Sequence, residues 1–305
     1  AFTMANAIAY VEEVRAAGVP VDDFAPRLAF YFVAQTDFFE EVAKFRAARR
    51  LWARIMKERF GATRPESMRL RFHCQTAAAS LTKAQPLNNI VRTALQALAA
   101  VMGGAQSLHT NGLDEAYAIP SELAMKVALR TQQIIAEETR VPSVVDPLGG
   151  SYYVESLTNE FEAAVMKILA HVDALGGTVR AIEEGWFQRE IAESAYGTAR
   201  AKAAGEHVVI GVNKQVEPPE PAAFEIHRVD ADVEARQVAR LRAVRARRDG
   251  ARVSALLDRL EREARDPTAN VIPLTVELVR ARATLGEIVA RLRNIWGSYV
   301  ERPVF

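Results

Sequence analysis

Leu70-Arg71-Phe72-His73-Cys74-Gln75-Thr76 is the stretch on which the fold turns. Leu70, Phe72 and Cys74 alternate with Arg71, His73 and Gln75, the period-two pattern of a β-strand with one apolar and one polar face. Upstream, Arg27 to Ala34 is a dense, aromatic-rich apolar run bounded by turn residues, and downstream Ala105 to Thr110 is a third short candidate strand. Helical patterns separate them. One runs from Phe38 to Phe60, with Asp37 as N-cap and an Arg-rich face expected to point outward; another runs from Pro86 to Met102 and is closed by Gly103-Gly104. Residues 1–18 read as an amphipathic helix stopped at Gly18-Val19-Pro20, and Pro120 to Thr139 as a helix with Pro120 at its first position. Strands and helices alternating through short connections argue for βαβ units and a parallel sheet. Three strands are too few for an eight-stranded barrel on their own.

From about Val141 the pattern changes. Helices dominate: Leu157 to Leu175, Thr178 to Glu184, Gln188 to Ala204, Asp230 to Asp249, Arg252 to Arg265, Pro273 to Ala283 and Leu285 to Trp296. The strand signal shrinks to Val208 to Val212 and Phe224 to Val229, and Pro218-Pro219-Glu220-Pro221 is the best linker. The expected division is therefore residues 1–140, carrying strands and helices, and residues 141–305, mainly helical. With 305 residues, 39 Lys+Arg against 38 Asp+Glu and half its residues apolar, the chain has the composition of a globular protein with a large core. A net charge of +1 supplies no long-range field for nucleic acid or an anionic membrane. The single cysteine, Cys74, excludes an internal disulfide framework and points to a reducing cytoplasm. Ala1 is not an initiator methionine, and no leader or membrane span follows it, so the chain reads as part of a longer one.

Two groups of residues are candidates for chemistry. Arg71, His73 and Gln75 share the polar face of one strand, which fits a wet or ligand-filled barrel interior and equally an edge strand with one solvated face. At the end of the next strand, Gln106-Ser107-Leu108-His109-Thr110-Asn111 is followed by Gly112, Leu113, Asp114 and Glu115. Carboxyl ends of parallel strands are where binding loops sit, so amide, imidazole and carboxylate groups there suit ribose hydroxyls; the plainer reading is that Asn111 and Asp114 satisfy turn backbone and Glu115 is solvated. Gly149-Gly150-Ser151 lacks either phosphate-loop pattern and reads as a turn. No histidine spacing suits a metal, no serine has a hydrolase setting, and Asp230 to Asp266, with ten Arg against eight acidic residues, reads as a salt-bridged exposed face.

Several segments together resemble the methylmalonyl-CoA mutase family of adenosylcobalamin-dependent acyl-CoA mutases. They are Phe24-Ala25-Pro26-Arg27-Leu28, Phe39-Glu40-Glu41-Val42-Ala43-Lys44, Arg46-Ala47-Ala48-Arg49, His73-Cys74-Gln75-Thr76, Ser80-Leu81-Thr82 and Asn88-Asn89. Gln106 to Asn111, Asp114-Glu115, Val145-Asp146-Pro147, Gly150-Ser151 and Gly211-Val212-Asn213-Lys214 continue the likeness across essentially the whole chain. Ile295-Trp296-Gly297-Ser298-Tyr299 is similar to the ends of large subunits that work with a separate cobalamin subunit, as in the isobutyryl-CoA and 2-hydroxyisobutyryl-CoA branches.

The resemblance implies the C-terminal part of a (β/α)8 TIM barrel threaded by coenzyme A, followed by a mainly helical region. It implies that Arg27, Ala29, His73 and Gln106 line the path of an acyl-CoA substrate. Gln75, Asn111 and Glu115 are implied at the adenosyl group of adenosylcobalamin, which a separate domain or subunit would mainly hold. The implied partners are a small cobalamin-binding subunit and a second large subunit, with no nucleic acid and no membrane. The implied reaction is a radical 1,2-rearrangement of a short branched acyl-CoA; a catalytically silent CoA-binding or assembly module is the rival reading. Neither the family's catalytic His, which precedes Ala1 in the family pattern, nor its cobalt-binding Asp-x-His-x-x-Gly motif is present. Two departures, Ala77-Ala78-Ala79-Ser80 for Ser-Gly-Trp-Ser and Arg27-Leu28-Ala29 for Arg-Leu-Ser, lean away from methylmalonyl-CoA and toward the hydroxyisobutyryl branch.

Overall fold

In the computed structural model, which describes residues 1–218 and 224–301, the three expected strands form one parallel sheet in the order β1-β2-β3. These are β1 (Phe30–Ala34), β2 (Phe72–Thr76) and β3 (Ser107–His109). Tyr31 pairs with His73 and Val33 with Gln75, while His73 and Gln75 pair in turn with Ser107 and His109. Each strand is shorter than its apolar run. Arg27 does not belong to β1 but ends a 3-10 turn, Ala25–Arg27, whose Pro26 has no N–H to give a ladder.

The helices are α1 (Phe2–Ala16), α2 (Val21–Phe24), α3 (Phe38–Glu58), α4 (Pro65–Met68), α5 (Asn88–Met102), α6 (Glu122–Glu137), α7 (Tyr152–Ala174), α8 (Thr178–Glu183), α9 (Trp186–Ala204), α10 (Asp232–Arg247), α11 (Gly250–Glu263), α12 (Ile272–Arg280) and α13 (Leu285–Trp296). Asp37 caps α3 as expected, accepting from the Glu40 N–H at 3.3 Å. Pro120 is not the first residue of α6. Ser121 is the N-cap, accepting from the Ala124 N–H at 3.3 Å, and the proline precedes it. Val208 to Val212 is no strand but a turn with an isolated Ile210–Lys214 bridge, and Phe224 to Val229 is irregular. All but the first residue of the expected linker, Pro218-Pro219-Glu220-Pro221, lies outside the described residues.

One face of the sheet is sealed by α3. Phe30, Ala34, Phe72 and Cys74 are buried against Phe45, Leu51, Trp52 and Met56 of that helix. Phe30 meets Trp52 edge-on at 4.9 Å, and Phe45 stacks on Phe72 at 5.0 Å. Burial pushes the Cys74 thiol up to about 12, so it packs as a small hydrophobe and stays protonated at neutral pH. The Arg-rich face of α3 points outward only in part: Arg50 and Arg54 are exposed, whereas Arg46 is largely covered. Arg46 holds Asp146 (2.9 Å), Glu155 (2.6 Å) and Thr158 (2.9 Å), and Arg50 and Arg54 both reach Glu162, so that face is a charged seam under α7.

Two compact units result. The first runs from Ala1 to Arg228, so the boundary expected at residue 140 falls inside it; α7 lies along α3 and belongs with the sheet. The second begins at Val229 and has its own core of Val253, Leu257, Leu260, Leu274, Leu278 and Ile288 from α11, α12 and α13. Part of its Arg complement is ion-paired, along helices (Arg236–Asp232, Arg259–Glu263) and between them (Arg291–Asp258, Arg248–Glu287), while others such as Arg240, Arg242 and Arg252 are exposed without an ion pair among the described residues. No helix of the described residues is long and apolar enough to cross a membrane.

Candidate functional site

The face of the sheet away from α3 is polar. Tyr31 and Val33 of β1, His73 and Gln75 of β2, and Ser107 and His109 of β3 share it, because the parallel register brings odd-numbered residues of adjacent strands side by side. All six are exposed or partly exposed, whereas their neighbours Phe72 and Cys74 are buried. His73 Nδ1 lies 2.8 Å from Ser107 Oγ, and the Tyr31 ring lies against the His73 ring at 5.1 Å.

Toward the carboxyl ends of the strands the polar groups form a continuous chain. The Asn111 amide is anchored on Thr76: its main-chain N–H donates to Thr76 Oγ1 at 3.0 Å and its Nδ2 to the Thr76 carbonyl at 2.8 Å. Asn111 Oδ1 accepts from Gln75 Nε2 at 2.9 Å, and Gln75 Oε1 accepts from the Tyr31 hydroxyl. Three neighbouring strands are thus tied across their tops by side chains. Behind this row, fully buried Gln96 accepts from the Ala77 N–H at 3.0 Å and donates to Thr36 Oγ1 at 3.1 Å. Asn89, also fully buried, donates to the carbonyls of Thr82 and Leu113, joining the loops that follow β2 and β3.

The loop after β3 is pinned by Asp114, whose Oδ2 accepts from the Ser121 N–H at 2.7 Å. Its Oδ1 is buried over Gly112 without a partner, and a Cβ at Gly112 would come within 2.7 Å of it, so only glycine fits. Glu115, next along, is half-buried rather than freely solvated, and its carboxylate has no partner among the described residues. The plainer reading therefore holds for Asp114, while Asn111 bonds to Thr76 and Gln75 of the neighbouring strand rather than to its own turn, and Glu115 is solvated only in part.

At the opposite, amino ends of the strands stand Arg27, Ala29 and Gln106. Arg27 is exposed and unpaired among the described residues, on a turn that Arg71 braces by donating to the Pro26 carbonyl. Ala29 is exposed and lines a cleft between α1 and β1 with Asn6, Tyr10 and Tyr31. Gln106 is exposed too, but its amide completes the sheet: Oε1 accepts from the Phe72 N–H at 2.7 Å and Nε2 donates to the Gly104 carbonyl at 2.6 Å. The expected residues thus fall in two groups at the two ends of the strands, with His73 between them. Sequence reasoning does not single out Tyr31 or Thr76 for the site, although period-two alternation puts Tyr31 on the same face as His73 once the register is known.

Fold and site together define a parallel α/β protein with a polar strip along its strands and hydrogen-bonded polar loops at their carboxyl ends. The chain belongs to the methylmalonyl-CoA mutase family, whose profile matches residues 1–298. It is 63% identical over 305 residues to the 2-hydroxyisobutanoyl-CoA mutase large subunit of Aquincola tertiaricarbonis, covering 100% of this chain and 54% of that protein. It is 46% identical over 305 residues to a methylmalonyl-CoA mutase of Rhizobium meliloti (strain 1021), covering 99% of this chain and 42% of that protein. To the human mitochondrial methylmalonyl-CoA mutase it is 40% identical over 301 residues, 98% of this chain and 40% of the other. The chain spans about half the length of the curated relatives it matches, or somewhat less.

Proposed function

We propose that the chain is part of the large subunit of an adenosylcobalamin-dependent acyl-CoA mutase acting on a short branched acyl-CoA, with the 2-hydroxyisobutyryl branch favoured by the 63% identity. Its sheet with the flanking helices to residue 140 would be the C-terminal part of a TIM barrel, α7 to α9 of the same unit would pack on that barrel, and the helical region from residue 141 would offer contacts to a small cobalamin subunit and a second large subunit. The buried, free Cys74 suits a cytoplasmic protein. One observation carries the reading: a polar strip on a sheet face that barrels ordinarily fill with bulky apolar side chains. Five strand residues at ~3.3 Å each give a strip about 16 Å long, suited to an extended ligand.

On this reading the unpaired Arg27 offers a permanent cation to the anionic coenzyme at one end. His73, braced by Ser107, offers a ring nitrogen to the polar arm of the coenzyme at mid-strip. At the other end the residues fit an adenosyl group: Glu115 has a free carboxylate for vicinal ribose hydroxyls, and Gln75 keeps one unengaged N–H. When bound, adenosylcobalamin supplies the homolytic cobalt–carbon chemistry that a carbon-skeleton rearrangement needs. The chain's own residues would bind and orient the ligand along the strip.

Titration with coenzyme A and separately with 5′-deoxyadenosine, followed calorimetrically, tests this. Arg27→Ala should weaken coenzyme A at least about tenfold, the scale of a lost charge-assisted contact, and leave 5′-deoxyadenosine unchanged. Glu115→Ala should do the reverse. Failure of the wild-type chain to bind either compound, or equal losses for both in each variant, overturns the assignment.

A further inference from the structure

The hydrogen-bond chain across the strand tops has a fixed direction, set at its buried end. A main-chain carbonyl only accepts, so the group Asn111 turns toward the Thr76 carbonyl must be its Nδ2, and Oδ1 must face Gln75. Gln75 then meets Asn111 with Nε2 and faces β1 with Oε1. An oxygen there needs a donor, and the Tyr31 hydroxyl is that donor. Tyr31 is 53% exposed, so burial does not account for it, and a phenylalanine would present the same ring to His73. What the hydroxyl adds is a hold on the second end of the Gln75 amide.

We infer that Tyr31 is a positioning residue: its hydroxyl clamps the Gln75 carbonyl while Asn111 clamps the amino group, so that Gln75 offers a nucleoside ligand one fixed N–H donor. The ligand class rests on the function proposed above; the clamp itself does not. Without the hydroxyl the amide is held at one end only, and a half-exposed glutamine gains rotamers that must be lost again when a ligand binds.

Two measurements on the 305-residue chain test this. In side-chain amide NMR spectra, with the Gln75 Nε2 resonances assigned by their loss in Gln75→Ala, Tyr31→Phe should shift both protons and speed their exchange. Unchanged Gln75 resonances overturn the clamp whether or not any ligand binds. In titrations with 5′-deoxyadenosine, Tyr31→Phe should weaken binding about fivefold, the size of one neutral hydrogen bond. The same substitution in a Gln75→Ala background should change nothing further, because the hydroxyl acts only through the amide. An equal loss in that background makes Tyr31 a direct ligand contact and overturns the inference. A wild-type chain that takes up no 5′-deoxyadenosine refutes the nucleoside reading, while the amide spectra still decide the clamp.

Discussion

Gln96 illustrates how one residue sets the geometry of the strand tops. It is fully buried on α5, and its two amide ends reach the Ala77 N–H just past β2 and the Thr36 hydroxyl just past β1. Those contacts fix the backbone from which Gln75 and Thr76 project. Gln96→Leu keeps the volume but strands the Ala77 N–H in a site where Ala77 itself is 1% exposed. An unsatisfied buried donor costs about 1–3 kcal/mol, so the stability measured by urea unfolding should fall by that amount, as a lower midpoint with the m-value unchanged. A loss below about 0.5 kcal/mol would mean that water replaces the glutamine. Neither Gln96 nor Asn89 is legible as a site residue in the sequence, because helical periodicity places a polar residue on a face without saying what that face meets. His73, Gln75 and Asn111 were legible for the opposite reason: strand alternation and the carboxyl-end rule determine where such residues point.

The elements themselves were largely written in their periodicity, and α13 begins and ends at the residues the pattern predicts, Leu285 and Trp296. What periodicity did not show was the seam of α3. Arg46, Arg50 and Arg54 recur every four residues like a solvated stripe, yet their partners Asp146, Glu155 and Glu162 lie some hundred residues on, beyond the reach of any local pattern. The start of α13 carries a pH prediction. Thr284 and Glu287 form a reciprocal capping box, and the Arg248 guanidinium donates to the same carboxylate at 2.7 Å. Arg248 first, and the Thr284 hydrogen bonds with it, lower the Glu287 carboxyl from 4.5 to about 2. The unfolded chain therefore takes up this proton at higher pH than the folded one, and the stabilisation, present above about pH 4.5, is lost as pH falls toward 2. Glu287→Gln should lower stability at neutral pH by about 1–2 kcal/mol and flatten that acid limb. Melts of both proteins between these limits check it; parallel curves would show that the pair does not form.

At the scale of the molecule, the polar strip and all its supporting residues lie in the unit ending at Arg228, while the unit beginning at Val229 is held by a core of its own. Trp52 is 1% exposed in the first core and Leu260 fully buried in the second, and they share no partners. Truncating such side chains removes transfer free energy and leaves a cavity, at about 2–5 kcal/mol for Leu→Ala and 3–5 for Trp→Ala. Because the sites are separate, the two losses should add to within about 0.5 kcal/mol in the double variant. Calorimetry should accordingly show Leu260→Ala lowering only the transition of α11 to α13, and Trp52→Ala only that of the sheet unit. Coenzyme A titration supplies the functional half of the comparison: Leu260→Ala should bind as wild type does, whereas Trp52→Ala, which undercuts Phe30 at the foot of the strip, should bind more weakly. A single transition lowered alike by both substitutions would mean that the two cores melt as one, and an equal loss of coenzyme A in both would place part of the binding energy in the second unit.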